Sequence, residues 1–361
     1  MPWYLPEYSP LRKLTSVGFE FPRSPLTPAT CDSFYSGIDT ALQTLTHDAG
    51  ISPQMLELAN QLRGELTQCK LRIARVTSQL RGIAEQSERL VRDMNFEILV
   101  NKRRKLLSVG YDVNSQKLAK SCYDLLASES RTAAFISIAK GDAPQESWFR
   151  LGRQHTLCEG ETVLTSWTGT MFEYLMPVIW MKSHPNTLLD RSAHAAVRVQ
   201  RAYVTRAGVP WGISEAAFSK RDEAGNYQYA AFGVPGVALH VTRPDCLVVS
   251  PYSSCLALQV DPVNATLNLR NMTAKKKWMG TYGLYESADY TGTPHRALSQ
   301  RKYHLVRCWM AHHQGMSLAA ICNLLQDSAF QRWFHAEPLV QASELILQER
   351  PLRVKAISAT A

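Results

Sequence analysis

Polar and apolar positions divide this chain into unlike stretches. Before residue 35 no period is legible. Pro2, Pro6, Pro10, Pro22, Pro25 and Pro28 punctuate an irregular segment that reads as a linker or an extended arm. Residues 35–48 carry a short helical pattern. Ser52-Pro53 then offers a cap residue followed by proline at the first helical position. From there Leu56, Leu58, Leu62, Leu66, Leu71, Ile73, Val76, Leu80 and Ile83 recur at helical spacing to about Asp93. This stretch predicts a helical arm, either a hairpin or a coiled coil. The pattern changes near Met94. Residues 96–111 suit a short β-hairpin with Asn101-Lys102 in its turn. Beyond Tyr111 the spacing predicts helices near 115–139, 169–183, 187–207, 252–273, 312–326 and 337–349, with Gly141 as a C-cap of the first. Strand periodicity is scarce. Two domains follow: residues 1–93, a Pro-rich segment and long helical arm, and residues 94–361. Long helices alternating with aromatic, Gly-containing loops suggest an all-α fold, helices paired around an axis as an α/α toroid with the loops lining one end.

Composition narrows the class without changing that picture. At 361 residues, 45% hydrophobic and 20% charged, the chain reads as soluble and globular. The longest apolar run, Tyr174 to Met181, is too short to span a bilayer and contains Pro177. No signal-peptide pattern opens the chain, so a cytoplasmic location is the default. The eight Cys are scattered without metal-ligand spacing and read as reduced, packed thiols. The net charge of +9 owes much to Lys102-Arg103-Arg104-Lys105 and Lys275-Lys276-Lys277. Neither run belongs to a nucleic-acid motif, so both read as solvated faces or domain contacts.

The candidate chemistry sits in the loops. In Val209-Pro210-Trp211-Gly212-Ile213-Ser214-Glu215 an acid lies close to a Trp. An aromatic plate beside a carboxylate suits a carbohydrate: the ring packs on a sugar's C–H face, and the acid serves the glycosidic bond. The combination recurs around Trp167 and Glu173, at Tyr227 and Tyr229, and at Tyr285, Glu286 and Asp289. Glu129 shares a predicted helix face with Cys122, Leu125, Leu126, Ala133 and Ile136. A carboxyl in such a stripe is either held protonated, as a general acid must be, or paired with an Arg such as Arg131. Glu215, on a loop, is free to point into a cleft or simply to be solvated. Glu173 either binds a sugar hydroxyl or caps its helix; Glu286 and Asp289 either bind hydroxyls or brace their loop. His312, His313 and Gln314 open a helix. Adjacent histidines diverge, so no metal site is expected, and a structural role or a sugar hydrogen bond fits them better.

Several strings agree in order with one family: Arg104–Tyr111, Tyr123–Arg131 (YDLLASESR), Trp148–Arg153, Trp167–Pro177 (WTGTMFEYLMP), Val209–Glu215 (VPWGISE), Tyr227–Gly236, Tyr285-Glu286, Met310–Ser317 (MAHHQGMS) and Glu344–Pro351. Together, over about residues 94–351, they resemble the glycoamylase-like transglycosylation domain of cyclic β-1,2-glucan synthases, glycoside hydrolase family 189. The resemblance implies an (α/α)6 barrel, complete or lacking part of its ring, and a retaining mechanism on linear β-1,2-glucan without a cofactor. It makes Glu129 the acid/base and Glu215 the nucleophile; direct displacement needs the two carboxyl groups about 5–5.5 Å apart. Trp167, Trp211, Tyr227, Tyr229 and Tyr285 would be sugar platforms, and Glu173, Glu286, Asp289, His312, His313 and Gln314 would bind hydroxyls. It further implies glycosyltransferase and phosphorylase-like domains as neighbours in a larger synthase at the bacterial inner membrane, with this chemistry on the cytoplasmic side. The alternatives are an endo-β-1,2-glucanase, with water as acceptor, and a truncated glucan-binding remnant without turnover.

Overall fold

The computed structural model describes residues 5–12, 26–241, 243–292 and 302–351. The chain divides into two compact units, Met1–Met94 and Asn95–Ala361. In the first unit, helix α1 (Ser9–Arg12) and helix α2 (Pro28–Thr46) pack on helix α3 (Pro53–Asp93). Thr27 and Thr30 form a reciprocal capping box at the start of α2. Ser52 caps α3, its Oγ accepting from Met55 N at 3.3 Å, so the helix begins at the predicted cap and proline. The 41 residues of α3 form one helix rather than a hairpin. Ile38 and Leu42 of α2 meet Leu62 and Leu66 of α3, with Tyr8 and Leu11 completing a small core. The apolar row then runs on through Val76, Leu80 and Ile83, which are exposed.

The second unit combines helices with small antiparallel hairpins. Strand β1 (Val100–Asn101) pairs with β2 (Leu106–Leu107), a hairpin whose turn contains Lys102 as predicted. Strands β3 (Tyr111–Asp112) and β4 (Lys117–Leu118) form a second hairpin. This hairpin and the extended chain after it replace most of the helix expected over 115–139. Helix α4 begins only at Arg131 and ends at Ala139, with Gly141 just beyond in the left-handed region. Periodicity misled here because tertiary partners satisfy the backbone. Gly152 N donates to Asp124 O at 2.6 Å and Leu126 N to Gly152 O at 3.1 Å. Ser128 Oγ accepts from Ser130 N, the local competition by which serine disfavours helix. Glu129 therefore lies on a loop ahead of α4 and not on a helix face.

After helix α5 (Glu146–Arg150), strands β5 (His155–Cys158) and β6 (Glu161–Leu164) form a hairpin. Helix α6 (Met171–Leu175) passes into a 3-10 turn at Met176–Ile179, where Pro177 cannot donate. Helix α7 (Leu188–Thr205) is capped by Thr187 and buries Leu188, Ser192, Ala195, Ala196, Val199 and Gln200 on one face. Strands β7 (Ala216–Arg221) and β8 (Tyr227–Ala230) pair with a bulge. Strand β9 (Val248–Val249) joins a three-stranded sheet in the order β13-β12-β9, with β12 (Ser287–Asp289) central and β13 (His304–Val306) outside. The single helix expected over 252–273 is broken into α8 (Pro251–Leu256), a 3-10 turn and α9 (Pro262–Arg270). The break falls at Asp261-Pro262, where Asp261 caps the new helix. Strands β10 (Met279–Gly280) and β11 (Gly283–Leu284) make a last hairpin. Helix α10 (Ala311–Leu325) matches its predicted span, followed by α11 (Ala329–Phe334) and α12 (Pro338–Ser343). One apolar core gathers Phe135, Trp148, Leu175, Ile179, Val199, Leu256 and Ala320. Helices α6, α7, α8 and α10 pack around it. Among the described residues all but α7 and α10 of this unit's α-helices are nine residues or shorter, so the long paired helices of the sequence reading are only partly present.

Candidate active site

The loop before α4, the loop before α6 and the loop before β7 meet at a cavity of about 600 Å³. Glu129, Glu173 and Glu215 all line it, with Trp167, Thr168, Tyr123, Asp124 and Arg104. Two loops and the first turn of α6, far apart in sequence, thus bring three carboxyls to one cavity, which requires each segment to be held firmly.

Buried Arg131 ties the Glu129 loop to helix α6. Its guanidinium donates to Ser128 O at 3.2 Å, Glu173 O at 3.0 Å and Tyr174 O at 2.7 Å. It is not an ion-pair partner of Glu129 in the sense the sequence allowed; it works on carbonyls. Burial lowers its pKa to about 10, against the pull of Glu129's charge, so it stays a cation. Ser128 Oγ lies 3.3 Å from Glu129 Oε2. Burial raises the Glu129 pKa and the charge of Glu173 adds to this, opposed by its backbone hydrogen bond, Ser128 and Arg131.

Glu173 takes the capping role weighed for it. Its carboxylate accepts from Thr170 N at 2.9 Å and Thr170 Oγ1 at 3.0 Å, from Thr168 N at 3.0 Å and from Ser166 Oγ at 2.9 Å. It is 3% exposed, so these bonds occupy it as the organiser of the Trp167 loop. Trp167 itself is 56% exposed and stacks on His240 with centroids 5.3 Å apart, an open aromatic face at the cavity.

The Glu215 loop is strapped from several sides. Gln200 of α7 bonds both groups of Ile213, accepting from its N at 2.8 Å and donating to its O at 2.9 Å. Asn268 of α9 does the same for Trp211, at 3.3 Å and 2.7 Å. Tyr252 of α8 donates to Glu215 O at 3.0 Å. Gly212 adopts φ +119°, and a Cβ there would lie 2.5 Å from Ser253 Oγ, so only glycine fits. Burial pushes the Glu215 pKa up to about 7, the charges of Glu129 and Glu173 add, and a hydrogen bond from Tyr229 opposes.

The remaining expected residues divide. Trp211 is 8% exposed and packed in the apolar core, away from the cavity lining, so its ring is structural as positioned. Tyr227 lies under Arg221, 4.4 Å from ring centroid to guanidinium carbon, and accepts from it at 2.9 Å on the β7–β8 hairpin. Tyr285 packs on Trp309 at 5.1 Å. Asp289 accepts from Ser219 N at 3.0 Å and Thr291 N at 2.9 Å, bracing strands rather than facing the cavity. Gln314 donates to Leu284 O at 3.1 Å. Glu286 and His313 are buried together, His313 Nδ1 lying 2.9 Å from both carboxylate oxygens. His313 Nε2 lies 3.4 Å from Tyr229 Oη, which lies 3.4 Å from Glu215 Oε2. His312, beside it, has its pKa lowered by burial and by His313. Sequence reasoning gave no role to Arg104, Tyr123, Gln200, Tyr252 and Asn268, and offered Arg131 only as an ion-pair partner of Glu129. Arg104 and Tyr123 lay inside the strings Arg104–Tyr111 and Tyr123–Arg131; Gln200, Tyr252 and Asn268 act across the fold.

A protein-family model for glycoamylase, described as putative glucoamylase, matches residues 122–338, and the chain belongs to that family. The match takes in the loops that carry Glu129 and Glu215 and the helix that carries Glu173. The chain is also 40% identical over 281 residues to the cyclic β-(1,2)-glucan synthase NdvB of Rhizobium meliloti (strain 1021). That similarity covers 78% of this chain and 10% of NdvB, so the chain spans a small part of the relative's length. Two solved structures share its fold. An endo-β-1,2-glucanase from Chitinophaga pinensis, in complex with sophorotriose and glucose, has a TM-score of 0.53 at 15% identity, covering 87% of this chain and 70% of that one. An endo-β-1,2-glucanase mutant from Talaromyces funiculosus, in complex with β-1,2-glucan, has a TM-score of 0.53 at 14% identity, covering 91% and 63%. At such identities the likeness is one of fold. Among the described residues no helix is long and apolar enough to cross a membrane.

Proposed function

We propose that this chain is a retaining carbohydrate-active domain that cleaves linear β-1,2-glucan and transfers the cleaved chain to a sugar hydroxyl, closing a ring when that hydroxyl belongs to the same chain. The observation that carries the reading is the meeting of Glu129 and Glu215 at one cavity from separate, braced loops. Glu129 acts as acid/base on the glycosidic oxygen and Glu215 as nucleophile on the anomeric carbon. Trp167 and Tyr123 offer aromatic faces to sugar rings, and Glu173 holds the Trp167 loop. Similarity to a cyclic β-(1,2)-glucan synthase supports the substrate and the transfer.

The two carboxyls titrate as a pair, since each one's charge disfavours the other's. Glu215 is the more strongly raised of the two, up to about 7, whereas an attacking nucleophile must be ionised. The reading therefore requires Glu215 to shed its proton above that range and Glu129 to be protonated when substrate arrives. A glucan filling the cavity excludes water from Glu129 and raises it further.

The second reading is hydrolysis, favoured by the shared fold with endo-β-1,2-glucanases. Product masses separate the two. Incubated with linear β-1,2-glucan, the chain is expected to give species one water lighter than linear glucan of the same length. Short linear products alone would replace transfer by hydrolysis, and unchanged glucan with a folded protein would end both readings.

A further inference from the structure

Glu286, His313, Tyr229 and Glu215 form one hydrogen-bonded file from the interior to the cavity. Its inner end is fixed. Glu286 is 2% exposed and accepts from Ala217 N at 3.1 Å, and both its oxygens face His313 Nδ1 at 2.9 Å. Nδ1 therefore carries a proton directed at Glu286, which leaves Nε2 facing Tyr229. The His313 ring, 1% exposed, is stacked on Tyr252 with centroids 3.7 Å apart, and Tyr252 also holds the Glu215 carbonyl. The imidazole is thus set between a carboxylate and an aromatic face, with its second nitrogen turned to Tyr229.

We propose that His313, held by Glu286 and reached through Tyr229, is the proton store for Glu215. The transfer balances. The O–H bond of the Glu215 carboxyl breaks as its proton passes to the Tyr229 oxygen, and Tyr229's own proton passes to His313 Nε2. The result is a Glu215 carboxylate accepting from Tyr229, and an imidazolium paired with the Glu286 carboxylate. Neutral His313 and a neutral Glu215 carboxyl form the other end of the same exchange. Both Tyr229 contacts are 3.4 Å, and such catalytic contacts tighten when substrate binds. Every titratable group facing His313 fits the cationic state or leaves it alone. Glu286 attracts it, Tyr252 gives it a π face, Tyr229 accepts from it, and His312, whose ionisation burial disfavours, adds no repulsion. His313, Glu286 and Tyr229 are positioning residues acting through Glu215. The proposal rests on Glu215 as the nucleophile and explains how a carboxyl favoured in its neutral form becomes one.

The test reads protonation directly and needs no glucan. Infrared spectra report the protonated-carboxyl band of Glu215, assigned by its loss in Glu215→Gln. Nitrogen NMR reports whether His313 Nε2 carries a proton, assigned by its loss in His313→Asn. At about neutral pH the wild type is expected to show the Glu215 carboxyl band and the His313 Nε2 proton exchanging together, one gained as the other is lost. Tyr229→Phe, on a partly exposed ring and checked for an unchanged unfolding temperature, is expected to uncouple the two signals. With glucan, the same variant is expected to lose roughly tenfold in turnover below neutral pH and less above it. Spectra identical in Tyr229→Phe and wild type, or a Glu215 band that changes in the wild type with no change at His313 Nε2, would overturn the proton store. An inactive wild type showing the expected spectra would instead count against the glucan reading alone.

Discussion

At the scale of single residues, the site depends on carboxyls kept from water by different means. Glu173 resembles the other two in sequence, lying beside aromatic residues, yet its oxygens are filled by Ser166, Thr168 and Thr170. Among the described residues, Glu215 has only the Tyr229 hydroxyl, at 3.4 Å, on its carboxylate. Its folded pKa of about 7 lies above the ordinary 4.5, so the folded state holds a proton that the unfolded chain releases. The sign follows. Stability from this group is complete below pH 4.5 and is lost as pH rises through about 7. Glu215→Gln, which stays neutral, is expected to unfold at a temperature a few degrees higher than wild type at alkaline pH, and about equal to it at pH 4. Calorimetry at both pH values measures this. A variant less stable than wild type at alkaline pH would mean the carboxylate is stabilised there, against the burial seen. The same residue illustrates what a sequence reveals. That Glu215 sits on a loop was legible from its Gly- and Pro-bounded surroundings. That Trp211 points into the core, and not at sugar, was invisible because Asn268 fixes it from 57 positions away.

At the scale of elements, straps from helices decide where the loops stand. Gln200 has its amide on the buried face of α7 and joins it to Ile213. In Gln200→Leu the Ile213 N–H loses its partner, while its carbonyl still accepts from Met171 N at 3.1 Å. A stranded buried N–H costs about 1–3 kcal/mol. The variant is therefore expected to melt several degrees lower and to turn over glucan roughly 10–100-fold more slowly, because Glu215 is two residues from the lost bond. Unfolding curves with initial rates check it; a lower melting temperature with full turnover would make the strap purely structural. Helices α7 and α10 were legible because each buries one face over many turns, and the 3.6-residue period survives in sequence. The 115–139 segment shows the opposite case. Cys122, Leu125 and Leu126 are buried or half-buried, so their spacing imitates a helix face, but Leu125 bridges to Gly152 and Ser108 to Cys122. The short hairpins were hidden because two-residue strands leave no alternation to read.

At the scale of the whole molecule, the apolar clusters lie within the units separately, one in Met1–Met94 and the others in Asn95–Ala361, and the candidate site belongs entirely to the second. The pattern of the sequence also changes near Met94. The convergence of loops ahead of α4, α6 and β7 was not readable, since no local signal records which loops share an end of the fold. The account stands on Glu129 and Glu215 acting together across one cavity. The most direct test compares initial rates on linear β-1,2-glucan for the whole chain and for Glu129→Gln and Glu215→Gln, each verified as folded. The account predicts that either substitution lowers turnover by about a thousandfold or more, and that the double variant is scarcely worse than the single ones. Activity within about tenfold of wild type in either variant would contradict it.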